Sequence, residues 1–189
     1  MTKNILLIGV GGQGIILTSK ILTAGLASLG YDVKMSEIHG MSQRGGSVTT
    51  QIRYGEKVGA PNIGAGEADV VVAFEKVEAV RALEYLKPGG ILVADDREIY
   101  PVSVLTGASA YPHDALDTLK AAGADVRVIS AYAQAEKLGS AKAQNICLLG
   151  ALVKVLDIRN VDWKELVGKM VPQKAKELNL AAFEAGYNM

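Results

Sequence analysis

Near its start the chain runs from Asn4 to Val10 as an almost unbroken apolar stretch and turns through Gly9-Val10-Gly11-Gly12-Gln13-Gly14. It then continues from Ile15 to Leu29 with apolar residues at helical spacing (Ile16, Ile21, Leu22, Leu26, Leu29). A continuous apolar run suits a strand covered on both faces. Glycines permit the tight reversal, and Gly30 is a fitting stop for the helix. A strand buried on both sides needs helices above and below it, so this one segment already restricts the chain to a layered α/β architecture.

The rest of the sequence repeats that alternation. Strands are expected at Asp32–Glu37, Val48–Tyr54, Ala68–Phe74, Ile91–Ala94 and Val126–Ser130, the second with Val48, Thr50, Ile52 and Tyr54 on one face and the other face half exposed. Helices are expected at Glu75–Leu86, stopped by Pro88-Gly89-Gly90, and at Asp114–Ala122. Four more follow at Ala131–Leu138, Ala143–Leu156, Trp163–Met170 and Gln173–Ala185. Only Ile38 to Ser47 separates the second and third strands, and it contains Gly40, Gly45 and Gly46. A parallel crossover needs about a dozen residues or more, so the third strand is expected to run antiparallel or to enter irregularly. The expected fold is a Rossmann-like three-layer α/β sandwich with a mostly parallel sheet and a helical C-terminal part. At 189 residues it forms one domain, 1–189.

Composition narrows the function classes. Apolar residues make up 49% and charged residues 21%, ordinary values for a globular chain. Twenty Lys+Arg balance twenty Asp+Glu, which argues against nucleic acid or an anionic membrane as partner and favours a place in a larger assembly. A single cysteine, Cys147, provides no disulfide framework and no cluster or zinc site held by this chain alone. The two histidines are too few for a His-rich site. The longest uncharged apolar stretch, Ile146 to Val153, falls far short of the roughly 20 residues that span a bilayer, and the chain reads as cytoplasmic.

Two constellations carry chemistry. The first, Gly9 to Gly14, sits between a strand and a helix, where backbone amides and the helix N-terminus attract anions. With Glu37 at the end of the second strand, it raises a stand-alone NAD(P)-binding oxidoreductase as one reading; a tight turn without ligand is another. The second is His39-Gly40-Met41-Ser42-Gln43-Arg44-Gly45-Gly46-Ser47, dense in polar donors and placed just past a strand end. Arg44 offers a planar charged fork for phosphate or carboxylate, and the adjacent glycines expose amides. Elsewhere, Asn145 is expected to cap its helix or else to face the cleft, capping being the preferred reading, Cys147 to be a buried inert thiol and Glu75 to sit in a first helical turn. Asp95-Asp96 is expected to end its strand in solvent.

Gly9-Val10-Gly11-Gly12-Gln13-Gly14 followed by Ser36-Glu37-Ile38-His39-Gly40-Met41-Ser42-Gln43-Arg44-Gly45-Gly46-Ser47-Val48 closely resembles the gamma-type subunits of 2-oxoacid:ferredoxin oxidoreductases. Within that group it is most like the small (beta) subunit of the indolepyruvate enzymes. The resemblance continues through Gly66-Glu67-Ala68-Asp69-Val70, Pro101 to Gly107 and Asn145 to Leu152, covering nearly the whole chain. It implies an enzyme subunit inactive alone and without catalytic residues of its own. The large alpha partner subunit would hold thiamine diphosphate, Mg and [4Fe–4S] clusters, oxidise an arylpyruvate to an acyl-CoA and pass electrons to ferredoxin. It further implies that Ser42 to Ser47 approaches coenzyme A. Arg44 would pair with a phosphate, Ser42, Gln43 and the Gly45 and Gly46 amides would complete the cradle, and Gly11, Gly12, Gln13 and Gly14 would serve the same ligand or the interface. His39 would be either a polar contact or a hydrogen-bonded loop residue, with Gly40 and Met41 beside it. No metal is implied for this chain.

Overall fold

A computed structural model of the chain describes residues 2–39, without the side chain of His39, and 46–189. The elements in chain order are β1 (Lys3–Val10), α1 (Ile15–Ser28), β2 (Asp32–His39), β3 (Ser47–Gly55), β4 (Ala68–Ala73), α2 (Lys76–Arg81) and β5 (Leu86–Asp95). They continue with α3 (Val102–Leu105), α4 (Ala115–Ala121), β6 (Asp125–Ile129), α5 (Ala131–Lys137), α6 (Gln144–Leu156), α7 (Trp163–Met170) and α8 (Lys176–Asn188).

The strands form one sheet in the order β2-β3-β1-β4-β5-β6. β3 runs antiparallel to both β2 and β1, while β1, β4, β5 and β6 pair in parallel. The short connection after β2 therefore does what its length dictated: it turns the chain straight back, and the returning strand wedges between β2 and β1.

Burial on both faces explains the unbroken apolar runs. Ile5 and Leu7 of β1, Val70 and Val72 of β4 and Val93 of β5 enter one core, which α1, α5, α6, α7 and α8 cover. Leu6 and Ile8, Val71 and Ala73, and Leu92 and Ala94 point the other way, into a smaller core under α2 and α4. In β3, Val48, Thr50, Ile52 and Tyr54 are buried as the alternation predicts, but Gln51 on the opposite face is buried too and accepts the Ile63 amide at 2.8 Å. The loop between β3 and β4 lies over that face. No helix among the described residues is long and apolar enough to cross a membrane.

The helix expected over Glu75–Leu86 is shorter. It ends at Arg81, a 3-10 turn spans Ala82–Tyr85, and β5 begins at Leu86, so Pro88-Gly89-Gly90 lies within the strand rather than ahead of it. Pairing with β4 jumps from Ala68↔Leu86 to Val70↔Ile91, leaving Lys87–Gly90 as a bulge. A proline that cannot donate to a ladder is tolerated there.

Candidate functional site

α1 leaves β1 toward one face of the sheet and α2 leaves β4 toward the other. Where neighbouring parallel strands send their chains to opposite faces, the carboxyl ends of those strands open into a crevice. The glycine turn lies in that crevice. Gly12 and Gly14 have φ of 95° and 77°, the left-handed region that glycine enters without penalty. A Cβ on Gly14 would also stand 2.7 Å from Asn145 Nδ2. Gly11 donates its amide to the Gly46 carbonyl at 3.0 Å, and Val10 pairs with Ser47 in the ladder. The two glycine-rich constellations, separated in sequence by Ile15 to Ile38, thus meet at one edge because β3 lies directly beside β1.

Not every residue of these constellations faces outward. Gln13 braces the turn: its Oε1 accepts the Val10 amide at 2.6 Å and its Nε2 donates to the Phe74 carbonyl at 2.8 Å, joining β1 to the end of β4. Ser47 donates its hydroxyl to Glu78 Oε2 at 2.6 Å, and Arg81 pairs with the other oxygen of that buried carboxylate at 2.5 Å. Gly40, Met41, Ser42, Gln43, Arg44 and Gly45 lie outside the described residues, as does the side chain of His39. The strands on either side, β2 ending at His39 and β3 beginning at Ser47, both terminate at the same edge as the turn.

The remaining site residues came from places the sequence did not flag. A cleft of about 750 Å³ opens beside the turn, lined by Gly12, Gln13 and Gly14 together with Arg97, Lys142 and Lys174. Among the described residues no Asp or Glu lines it, and none of its three cations makes an ion pair. Arg97 lies over the Tyr132 ring with its guanidinium carbon 4.1 Å from the centroid and donates to Gln144 Oε1 at 2.7 Å. Gln144 Nε2 in turn donates to the Phe74 carbonyl at 2.9 Å and to Asp95 Oδ2 at 2.7 Å. An electropositive cleft next to glycine amides and the N-terminus of a helix is suited to a polyanion.

Three expectations are corrected here. Asp95 does not end its strand in solvent; it is fully buried, and that burial, reinforced by Asp96, pushes its carboxyl up to about 7 against the hydrogen bonds from the Tyr132 amide and Gln144. Asn145 does not cap α6, which begins at Gln144; it takes the other expected place, lining the cleft, and its amide reaches across to the Gly14 carbonyl at 3.2 Å. Glu75 precedes α2 as its N-cap, accepting the Val77 and Glu78 amides at 2.7 and 3.1 Å. Cys147 is buried as expected, and burial pushes its thiol up to about 12. An acidic pair closing an apolar strand and a Gln-Asn pair opening a strongly apolar helix were the available signals: polar groups in such runs are kept only when they find one another.

Because Gln144 bonds the Phe74 carbonyl, buried Asp95 and Arg97 at once, Gln144→Leu is expected to cost about 3 kcal/mol of stability, read as a lower urea midpoint. An unchanged midpoint would contradict the network.

The geometry also weighs against two kinds of chemistry. In a dinucleotide fold the acid after the second strand must stand beside the glycine turn, but here β3 intervenes and moves Glu37 outward by one strand spacing, about 5 Å. No group of three or more His, Cys, Asp or Glu that could hold a metal ion occurs among the described residues, and the one thiol is buried and protonated. That donor set does not fit an iron–sulfur cluster.

The family described as pyruvate ferredoxin/flavodoxin oxidoreductase matches the chain over residues 4–189. The indolepyruvate oxidoreductase subunit IorB of Thermococcus kodakarensis is 38% identical over 190 residues, covering 97% of this chain and 93% of that protein. Among solved structures, the pyruvate oxidoreductase subunit PORC of Thermotoga maritima superposes with a TM-score of 0.74 at 22% identity, over 99% of this chain and 96% of that one. The 2-oxoglutarate:ferredoxin oxidoreductase of Magnetococcus marinus, solved with 2-oxoglutarate, coenzyme A and succinyl-CoA bound, gives 0.74 at 23% identity, over 99% of this chain and 30% of that longer one. At those identities the two structures share the fold.

Proposed function

Since the chain belongs to the pyruvate ferredoxin/flavodoxin oxidoreductase family, we propose that it is the small subunit of a cytoplasmic 2-oxoacid:ferredoxin oxidoreductase of the indolepyruvate type, and that it forms the coenzyme A side of the site. Decarboxylation and electron transfer to ferredoxin belong to thiamine diphosphate and iron–sulfur clusters in a large partner subunit. This chain binds and orients, and alone it turns nothing over.

The observation that carries the reading is the convergence of the glycine turn, both ends of the 40–45 segment and the cation-lined cleft at one sheet edge. Coenzyme A carries a diphosphate and a 3′-phosphate at one end and its reacting thiol at the other. Its charged end matches Arg97, Lys142 and Lys174, and the amides around Gly12 and Gly14 supply neutral donors. From the cleft, the thiol end would extend past the glycine turn toward the partner subunit. The match to an indolepyruvate oxidoreductase subunit supports an arylpyruvate as substrate, and the coenzyme A in the Magnetococcus enzyme supports that molecule as acceptor.

The test is steady-state kinetics of the complex reassembled with its partner. Arg44→Ala, and separately Lys142→Ala combined with Lys174→Ala, should each raise the KM for coenzyme A roughly tenfold or more, as expected for lost charge-assisted contacts. The KM for indolepyruvate should stay within about twofold. Unchanged coenzyme A dependence in both variants would refute the assignment.

A further inference from the structure

Among the described residues, Asp95 is the one carboxylate at this edge held entirely inside the protein with an oxygen left over. Its Oδ2 accepts from Gln144 Nε2 at 2.7 Å and from the Tyr132 amide at 2.9 Å, whereas Oδ1 is buried and meets no hydrogen-bond donor. Leaving a buried carboxylate oxygen unpaired is costly, so what the residue does in return can be sought in what it holds. Both of its partners touch Arg97: Gln144 through its Oε1, and Tyr132 through its ring. The guanidinium that lines the cleft is therefore set by two groups that hang from one carboxylate.

We infer that Asp95 is the positioning residue of the anion cleft, and that filling the cleft with phosphate drives a proton from solvent onto its bare Oδ1. This rests on the reading of the cleft as the coenzyme A site. The Gln144 amide lies between the two charges, its N–H toward Asp95 and its carbonyl toward Arg97. In the free protein the ionised carboxylate orients that amide so that its carbonyl meets the cation. A phosphate arriving on Arg97 brings a second negative charge one side chain away from the first, in an interior that screens poorly. The ionised form is disfavoured and the proton binds on Oδ1, so that the interior no longer holds a charged carboxylate beside the phosphate. By linkage, the proton and the phosphate each tighten the other's binding.

The surrounding groups leave Asp95 as the one that responds. Asp96 follows it on the chain, takes the Ser130 hydroxyl at 2.7 Å and adds to the push that brings Asp95 to about 7. From α6, the Cys147 thiol is held up near 12, and from α5 the Tyr132 phenol is raised above its ordinary value by Glu136. Neither changes charge between pH 6 and 8.5.

The experiment is calorimetric titration of coenzyme A into the anaerobic assembled complex, in buffers of different ionisation enthalpy at pH 7.5. Wild type should take up roughly half a proton or more per ligand in excess of Asp95→Asn, and its affinity should fall about tenfold between pH 7 and 8.5. The Asn variant, a permanent mimic of the neutral acid, should hold the low-pH affinity across that range. Dephospho-coenzyme A, whose diphosphate exchanges no proton here, should give the same uptake with wild type, and this arm stands even without a folded variant. Coenzyme A binding with no excess uptake, or with a flat wild-type profile, overturns the coupling and leaves the coenzyme A assignment standing. An Asn variant weakened equally at every pH also overturns it, as does absence of binding by wild type at any pH, which removes the assignment as well.

Discussion

Gly186→Ala is expected to cost the chain about 3 kcal/mol or more, a large share of the margin by which a domain of this size is folded. A Cβ at that position would stand 1.8 Å from the Cys147 carbonyl oxygen, so α8 and α6, whose backbones touch there, would have to part. The contact is backbone against backbone, with no flexible side chain to give way. The damage should reach the cleft, because α6 carries Gln144 and Asn145 at its N-terminus. Gly168→Ala in α7 is the control: its Cβ would meet only the far end of the Lys176 side chain, at 2.7 Å from Cε, and alanine is the better helix former. Urea unfolding of the two variants should give a much lower midpoint for the first and a near-native one for the second. Equal midpoints would contradict the packing described.

Asp95→Asn should do the reverse, and in a pH-dependent way. Unfolded, the carboxyl titrates near 3.8; folded, burial carries it to about 7. Between those values the folded protein keeps a proton that the unfolded chain has released, so this residue's contribution to stability falls as pH rises from about 4 to 7 and is level above. Asparagine keeps the shape and never pays to ionise. The variant should be more stable than wild type by up to about 4 kcal/mol at pH 8, with the gap closing toward pH 4. Urea midpoints at the two pH values check it; a gap of the same size at both would mean that the carboxylate is not held at an energetic disadvantage. A fold that keeps so unfavourable a group at the edge of its cleft trades stability for the placement of Gln144 and Arg97.

Much of the fold was legible because strand and helix leave different periods in the sequence. Asn4–Val10 and Val70-Val71-Val72 announce strands buried on both faces, and ten residues between Glu37 and Val48 announce a strand that turns back. The sequence around Pro88-Gly89-Gly90 is ambiguous because a bulge and a loop use the same residues; pairing with β4 decides between them. In the site, the glycine turn and the 39–47 stretch stand out through local composition. Arg97, Lys142, Lys174 and Gln144 do not, since each is an ordinary polar residue until the ends of β5 and α6 are brought to the same edge.

The sequence by itself determined the layered architecture, a third strand that no parallel crossover could deliver, the family and the absence of cluster-forming cysteines, because each follows from spacing or from residue type along the chain. Tertiary structure alone decided that Gln13 braces the glycine turn against the end of β4, that Asn145 reaches Gly14 instead of capping its helix, and that Asp95 is interior. It also decided that three unpaired cations share one cleft. These depend on which strand lies next to which, and the decisive event was β3 entering beside β1: it delivered the second constellation to the first and carried Glu37 one strand too far out to serve a dinucleotide.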